Sequence, residues 1–212
     1  MVSPVDRGIY LASRSPRRRE LLTQIGARYH LLLFRERAGE KTEVNEDPLA
    51  GEAPDAYVER MARAKAQAGW KRMVQRNLPH APVLAADTTV ALDGRIFGKP
   101  VDRAEAAAML AQLSGRSHEV LTAIALTNGD RLDSALSRSE VKFRDLTPQE
   151  IEEYVATGEA DDKAGAYAIQ GRAARFISEL RGSYSGVVGL PLYETARMLE
   201  VFASSPRDRR LA

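Results

Sequence analysis

The sequence contains no cysteine. This absence excludes disulfide bonds, thiol nucleophiles and cysteine-ligated metal sites, and it fits the reducing cytoplasm. The three histidines, at positions 30, 80 and 118, have no spacing typical of metal ligands. No run of about eighteen apolar residues occurs, and the first residues form no apolar signal segment, so we expect neither a membrane span nor secretion.

The chain also lacks an excess of charge of either sign. Its 31 lysines and arginines face 29 aspartates and glutamates, which leaves a net charge of +2. Such a balance is not typical of a protein that binds nucleic acid, and no stripe of alternating aromatic and basic residues is present. We therefore expect no nucleic-acid partner, although a nucleic-acid-binding module stays open as an alternative.

Basic residues are concentrated in one short stretch, LASRSPRRRELL (residues 11–22). The preceding residues resemble a strand, and Ser15-Pro16 resembles a helix start, with Ser15 as N-cap. On a helical wheel Arg18 falls within the apolar stripe, Arg17 at its edge and Arg19 on the far, solvated side. The free N–H groups of such a helix start suit an anion. A basic surface turn is the alternative interpretation.

Two further charged residues stand at positions where apolar residues are expected. The apolar run VLAA predicts a buried strand that ends at Asp87, where a carboxylate is costly unless it is paired or binds a cation. A turn aspartate is the alternative, and Asp93 in the predicted Asp-Gly hairpin turn is an example. Lys65 falls inside the apolar stripe of a predicted helix over 54–77. The alternative to a functional role is that its aliphatic stem lies along apolar surface and its ammonium reaches water.

The remaining pattern predicts an α/β fold on a mixed sheet. We expect a capped helix from Asp102 to a stop at Gly115, antiparallel strands around an Asn-Gly turn at 128–129, and a capped helix from Thr147. A long loop is predicted over 35–53, short strands or loops over the glycine-rich 164–190, and a final helix over 191–203. The segment 204–212 is expected to be a disordered tail.

Two glycine-rich stretches do not match known nucleotide-binding loops. GRIFGKP is one residue too short for a P-loop and carries Pro100 in place of Ser or Thr, and GSYSGVVGLP has the wrong glycine spacing for a dinucleotide fingerprint. What remains is a set of cations with a few carboxylates, the inventory that suits a polyphosphate with a divalent metal.

Four segments together resemble the Maf family of nucleoside triphosphate pyrophosphatases. They are LASRSPRRRELL, AADTTVALDGRIFGKP, LSGRSHEVLTAIAL and DKAGAYAIQG with GSYSGVVGLPLYET, and the match runs from Ile9 to Leu199. The resemblance implies one domain over 1–203, similar in fold to inosine triphosphate pyrophosphatases, with a long curved mixed sheet flanked by helices and a cleft between two lobes. It further implies a cytoplasmic homodimer, a divalent cation (Mg²⁺ or Mn²⁺), a nucleoside triphosphate substrate and release of pyrophosphate.

The resemblance also assigns site residues. It makes Asp87 the catalytic base and, with Glu46, a metal ligand. Glu46 is matched to the family's Asp-Glu pair, although Asn45 departs from that pattern. The residues implied to bind substrate are Ser13, Ser15, Arg17, Arg18, Lys65, Thr88, Lys99, Lys163 and Gln170.

Three of these positions imply the substrate. Arg17, Thr88 and Gln170 resemble the subgroup that hydrolyses dTTP and UTP, with modified pyrimidine nucleotides as further candidates. The alternatives are a pyrophosphatase for 7-methyl-GTP or another modified nucleotide, and a non-catalytic nucleotide-binding regulator of septum formation.

Overall fold

The computed structural model describes residues 8–33 and 44–204. Helices and strands alternate irregularly along the chain, as expected for an α/β fold on a mixed sheet. The helices are α1 (Pro16–Gln24), α2 (Pro54–Gln75), α3 (Arg103–Leu113), α4 (Pro148–Ala156), α5 (Tyr184–Val188) and α6 (Leu192–Ser204). The strands are β1 (Ile9–Leu11), β2 (Tyr29–Leu31), β3 (Val83–Leu92), β4 (Arg95–Phe97), β5 (Ser117–Thr127), β6 (Leu132–Phe143) and β7 (Ile177–Arg181).

The seven strands form one sheet in the order β2-β1-β3-β5-β6-β7, and β4 pairs with β3. Strand β1 is parallel to β2 and β3, whereas the other pairs are antiparallel. The long strand β5 pairs along most of its length with β3 on one side and with β6 on the other. The predicted turn at Asp93-Gly94 connects β3 to β4, and the predicted turn at Asn128-Gly129 lies between β5 and β6. The predicted α/β fold on a mixed sheet is therefore confirmed.

Separate cores form at the two ends of the long strands. At one end, one face of β3 and β5 packs against α1 and α6, while the cluster with α2 covers the other face of β3 from Val83 to Ala91. At the opposite end, the same strands contribute Val90 and Val120 to an aromatic-rich core with α3 and α4. The middle of β3 thus lies between the cores, which divides the sheet into two lobes.

One edge of β3 is left open between these lobes. Strand β1 pairs with β3 only at Val83 and Leu84, and β4 pairs with it only from Val90 to Leu92. The residues between have strand β5 on their other side but no strand on this edge within the described chain. Asp87 and Thr88 lie in this gap, so the order of the strands exposes them to a cleft.

Local signals account for most helix starts. In α4 the Thr147 hydroxyl accepts from the Glu150 N–H and the Glu150 carboxylate accepts from the Thr147 N–H, so the predicted capping box is present. In α3 the Asp102 side chain accepts from the Glu105 N–H, but the Glu105 carboxylate accepts from the N–H of Val101. Helix α1 begins at Pro16 with Ser15 at the N-cap position, as predicted, but the Ser15 hydroxyl makes no capping bond.

Several predicted boundaries were wrong. Strand β3 does not end at Asp87 but continues to Leu92, because Thr88 to Val90 are good strand formers that stay paired with β5. The segment SGVVGL was predicted as strand or loop, whereas its first residues lie in α5, where the Ser183 hydroxyl accepts from the Gly186 N–H. The segment around Tyr167, predicted as a short strand or a loop, forms a 3₁₀ turn and irregular structure, which agrees with the second alternative.

Other predictions are tested only in part. Residues 44–53 form no helix or strand, in agreement with the predicted loop, and the rest of that loop up to residue 43 lies outside the described residues. The predicted tail, from residue 205 on, lies outside them as well. None of the helices described is long and apolar enough to cross a membrane.

Candidate active site

A single cleft of about 1030 Å³ opens between the two lobes at the gap in β3. All the site residues predicted from the sequence line this cleft, although they come from six separate stretches of chain. They are Ser13, Ser15, Arg17, Arg18, Glu46, Lys65, Asp87, Thr88, Lys99, Lys163 and Gln170. The structure therefore brings the predicted residues together in one place.

Two carboxylates and one ammonium form the centre of the cleft. The Lys65 Nζ atom lies 2.7 Å from Asp87 Oδ1 and 2.6 Å from Glu46 Oε1. Lys65 comes from α2 and Asp87 from the face of β3 that packs on α2, while Glu46 belongs to the loop before that helix. The Asp87 side chain is 13% exposed and that of Glu46 53%, so Asp87 is the inner of the two carboxylates.

The charges around this centre favour the ionised form of Glu46. Burial alone would raise the pKa of Glu46, but the hydrogen bond from Lys65 and the positive charges of Lys65 and Lys99 outweigh it, so the pKa is lowered. Tyr57 donates its hydroxyl to the Glu46 carbonyl at 2.9 Å. Burial and the negative charges of Asp87 and Glu46 raise the pKa of Tyr57 to about 12, so the phenol stays neutral.

Arg18 is anchored on the opposite face of β3. Its Nε donates to the Gly189 carbonyl at 2.8 Å, and its Nη2 donates to the Thr88 hydroxyl at 3.2 Å. Its Nη1 lies 3.4 Å from the Ser13 hydroxyl, which also accepts from the N–H of Ser15 at 3.2 Å. Burial lowers the pKa of Arg18, and the negative charge of Asp87 opposes this effect. The arginine thus points inward, as the helical wheel predicted.

Other cations on the cleft wall keep their charged groups available. Neither Arg17 nor Lys99 makes a hydrogen bond or ion pair within the described part of the chain, and both line the cleft. Lys163 pairs with the neighbouring Asp162. Burial lowers the pKa of Arg17 and of Lys163, and the Arg17 charge lowers the pKa of Lys163 further, because these cations lie near one another. Such a concentration of positive charge suits a polyanion.

Arg19 lies outside this wall. It does not line the cleft, in agreement with the wheel, but its side chain is half-buried instead of fully solvated as predicted. The hydroxyls of Thr23 and Tyr29 contact its backbone carbonyl, which packs this turn of α1 against β2. Arg19 thus lies away from the cleft, and the prediction of full solvation is wrong.

Gln170 is presented by a braced turn at the mouth of the cleft. Its side chain is exposed and makes no hydrogen bond within the described residues. The bracing comes from Glu159, whose carboxylate accepts from the Tyr154 hydroxyl at 3.0 Å and from the Arg172 N–H at 3.0 Å. A Cβ at Gly171 would lie 2.1 Å from Glu159 Oε1, so any larger residue there would displace this carboxylate from its two hydrogen bonds. The Gln170 amide is therefore free to meet a ligand.

The sequence alone did not reveal four residues that shape the site. Tyr57 touches the Glu46 backbone, Thr122 touches Thr88, and the carbonyls of Gly186 and Gly189 accept from Thr122 and Arg18. The glycines lie in the GSYSGVVGLP segment, which was rejected as a dinucleotide loop without an alternative role. Gly189 has a φ of 125°, which only glycine adopts readily, so the residue type at this position was the one signal that the sequence offered for it.

The carboxylate pair is suited to a divalent cation. Within the described chain no group of three or more His, Cys, Asp or Glu side chains converges. Magnesium, however, needs only one or two carboxylates when substrate phosphates and water complete its ligands. Both Asp87 and Glu46 reach the one ammonium of Lys65, so a single cation between them could contact both.

Comparison with known proteins gives a consistent result. The family model for Maf-like proteins matches residues 8–202. A protein of Aromatoleum aromaticum named dTTP/UTP pyrophosphatase is 60% identical over 203 residues, which cover 95% of this chain and 98% of its own. Proteins of the same name from Nitrosomonas europaea and Nitrosospira multiformis are 56% and 59% identical, over 94% and 92% of this chain and 97% and 95% of theirs.

Proposed function

Because the chain belongs to the Maf family, we infer that it is a nucleoside triphosphate pyrophosphatase that acts on dTTP and UTP. The observation that carries this inference is the convergence of the predicted cations and carboxylates in one cleft, in a chain so similar to proteins of that name. In the reaction, water attacks the α-phosphorus, the bond to the bridging oxygen breaks, and a nucleoside monophosphate and pyrophosphate leave.

We assign binding of the triphosphate to the cationic wall of the cleft. Arg17 and Lys99 have no partner of their own within the described residues, and Lys163 and Arg18 add charge beside them. The start of α1 lacks a side-chain cap, so its first N–H groups are available to an oxyanion. Ser13 and Ser15 place their hydroxyls next to this helix start.

We assign proton transfer to Asp87. Its carboxylate is the inner one at the centre of the cleft and is held in place by Lys65. A positioned carboxylate can accept the proton of the attacking water as the new P–O bond forms. Lys65 keeps the carboxylate of Asp87 oriented and carries a charge that can stabilise the phosphate oxygens during attack.

Asp87 and Glu46 are also the residues that would hold a divalent cation, Mg²⁺ or Mn²⁺. When bound, such a cation would neutralise phosphate charge and lower the pKa of a water that it contacts. The pairing of both carboxylates with one lysine supports this assignment, since the same geometry already accommodates one positive charge.

The assigned reaction is tested with a panel of triphosphates. The purified protein is incubated with Mg²⁺ and dTTP, UTP, dCTP, GTP or 7-methyl-GTP, and pyrophosphate and phosphate are measured separately. We expect pyrophosphate and no phosphate, with dTTP and UTP as the preferred substrates. Preference for 7-methyl-GTP would overturn the substrate assignment, and nucleotide binding without release would favour a regulatory protein.

Asp87→Asn tests the assigned base. Loss of a positioned base or metal ligand costs about 10²–10⁴ in rate. We therefore expect Asp87→Asn to reduce pyrophosphate release by that factor while the thermal melt stays close to that of the wild type. Asp93→Asn, at the exposed hairpin turn of the same strand, is the matched control and should keep normal turnover. Comparable turnover of the two variants would remove Asp87 from the mechanism.

A further inference from the structure

A buried threonine links the strand of Asp87 to the glycine-rich segment around α5. The Thr122 side chain is completely buried in the middle of β5 and lies directly opposite Thr88 in the β3–β5 pairing. Its hydroxyl donates to the Thr88 hydroxyl at 3.0 Å and to the Gly186 carbonyl at 2.7 Å. A single hydroxyl hydrogen is thus shared between two acceptors, a three-centre arrangement.

The Thr88 hydroxyl is consequently surrounded by donors. It accepts from Thr122 at 3.0 Å on one side and from Arg18 Nη2 at 3.2 Å on the other. A hydroxyl has two lone pairs and one hydrogen. With both lone pairs engaged inside the protein, the hydrogen of Thr88 is the group that remains for the cleft, which Thr88 lines.

We propose that Thr122 is a positioning residue that fixes Thr88 as a hydrogen-bond donor toward the ligand. This proposal rests on the function inferred above, since it concerns the same cleft. The ligand atom that receives the bond is an acceptor-only oxygen, either on the triphosphate or on the carbonyl groups of a pyrimidine base. The same contact holds Arg18, because a Thr88 hydroxyl with a fixed direction offers the guanidinium a fixed acceptor.

Burial makes the orientation persistent. Thr122 has no access to water, so no solvent molecule can replace Thr88 or Gly186 as its partner. The Gly189 carbonyl holds Arg18 through Nε, and the Gly186 carbonyl holds Thr122. Both carbonyls belong to the glycine-rich segment, which therefore acts as a rigid support for Arg18 and Thr88 from one side.

The test removes the Thr122 hydroxyl while its shape is kept. Thr122→Val is compared with Thr195→Val, because Thr195 is also completely buried and its hydroxyl donates to the Pro191 carbonyl, likewise at 2.7 Å. Thr195 lies in α6 and does not line the cleft. Both variants lose one buried hydroxyl bond to a carbonyl, and Thr122→Val loses the bond to Thr88 in addition, so both melting temperatures should fall.

We expect only Thr122→Val to affect the ligand. Its kcat/KM for dTTP should fall about tenfold or more, while Thr195→Val stays within about twofold of the wild type. Thr122→Ser restores the hydroxyl and should restore kcat/KM to within about threefold. Thr122→Ala serves as a second loss variant if the valine variant does not fold. Equal kcat/KM values for the Thr122 and Thr195 loss variants would overturn the proposal.

A double-mutant cycle separates positioning from general destabilisation. If Thr122 acts through Thr88, its substitution should have no further effect on kcat/KM in a Thr88→Val background, whereas independent effects would multiply. Multiplying effects would overturn the proposal.

Two further arms identify the receiving oxygen and separate this proposal from the inferred function. The first is calorimetric titration with inorganic pyrophosphate, which needs no turnover. If the Kd of pyrophosphate rises about fivefold or more in Thr122→Val but not in Thr195→Val, the Thr88 hydroxyl donates to a phosphate oxygen. An unchanged Kd with a reduced preference for dTTP over dCTP assigns the bond to the base. If the wild type binds pyrophosphate but hydrolyses neither dTTP nor UTP, the inferred function is wrong while the role of Thr122 can still be measured by binding. If Thr122→Val changes neither the Kd of pyrophosphate nor the preference for dTTP, the proposed role of Thr122 is wrong.

Discussion

Lys65 shows how one residue can satisfy two demands of the site. Its stem crosses the packed face of α2, and its ammonium ends between Asp87 and Glu46 instead of extending into open water. Without the ammonium that both of them contact, the two negative charges would repel each other. In the proposed function a divalent cation would take the place of the Lys65 ammonium between the two carboxylates, and Lys65 would then contact a phosphate.

At the same scale, the Gln170 amide is the candidate reader of the base. It is exposed at the mouth of the cleft, and Glu159, not Gln170, braces the turn that carries it. An amide offers one acceptor and a donor group, which match two adjacent groups on the pairing edge of uracil or thymine. A carboxylate would repel the two carbonyls of these bases.

Gln170→Glu should therefore change specificity more than total activity. We expect kcat/KM for dTTP and UTP to fall much more than kcat/KM for guanine nucleotides, because unpaired polar groups strongly affect discrimination. The measurement is kcat/KM for each of the five triphosphates of the panel. The matched control is Gln149→Glu on the exposed start of α4, which should leave every value unchanged. A uniform loss across all substrates would mean that Gln170 does not read the base.

Among the elements, α1 determines which arginines reach the cleft. The helix starts at Pro16 and buries Leu21 and Leu22, so its rotation is set by two apolar side chains five and six residues after the start. That rotation points Arg18 toward Thr88 and Gly189 and places Arg19 away from the cleft. Neighbouring arginines of the same charge consequently differ in function.

Arg18→Ala and Arg19→Ala test this orientation. Arg18→Ala removes three hydrogen bonds of the site and a positive charge within electrostatic range of Asp87, so we expect kcat/KM for dTTP to fall by about 10²-fold or more. Arg19→Ala should change it less than about threefold, as substitutions away from a site usually do. Steady-state kinetics on both variants give the answer, and equal effects would contradict the assigned rotation of α1.

The elements that local patterns missed are short. Helix α5 has only five residues and two of its neighbours are glycines, so no apolar periodicity could indicate it. Its start is instead defined by the Ser183 hydroxyl and its position by contacts with β5 and β6. In contrast, α4 carries a complete capping box and α2 a long apolar stripe, and both were predicted correctly.

In the molecule as a whole, stability is divided between two cores on shared strands. The core of the α3–α4 lobe contains His118, which is 2% exposed, lies 2.8 Å from the Tyr167 hydroxyl through Nε2 and packs edge-on against Phe143. Burial lowers its pKa to about 4, and a weaker backbone contact from Arg116 opposes this. The folded protein thus keeps this histidine neutral at pH values where the unfolded chain, with a pKa near 6.5, binds a proton.

The free energy of unfolding should therefore decrease as the pH falls from about 6.5 to about 4. Above this window both states are neutral at His118, and below it both are protonated, so the contribution changes only within it. Between pH 7 and pH 4 the free energy of unfolding, measured with urea, should decrease in both proteins. We expect this decrease to be smaller in His118→Gln than in the wild type by roughly 2–3 kcal/mol. His30→Gln, at an exposed histidine, is the control. Parallel pH profiles for wild type and His118→Gln would contradict the expectation.

The sequence by itself determined the kinds of element, the mixed α/β class and the set of candidate residues. Caps, turns and apolar periodicity act over a few residues, so their physical causes are present in short stretches of chain. Asp87, Lys65 and Arg18 stood out because charged residues occurred at positions where burial was expected. The motifs that resemble the Maf family then supplied the roles.

Only the tertiary structure decided how these residues meet. Arg18 and Gly189 are 171 positions apart, and Arg18 and Thr88 are 70 apart, yet they share hydrogen bonds. Their contact depends on β1 and β4 pairing with separate parts of one edge of β3, which leaves the gap at Asp87 and Thr88. Strand order and pairing are set by the packing of the whole chain, and no local pattern encodes a distance between residues so far apart in sequence.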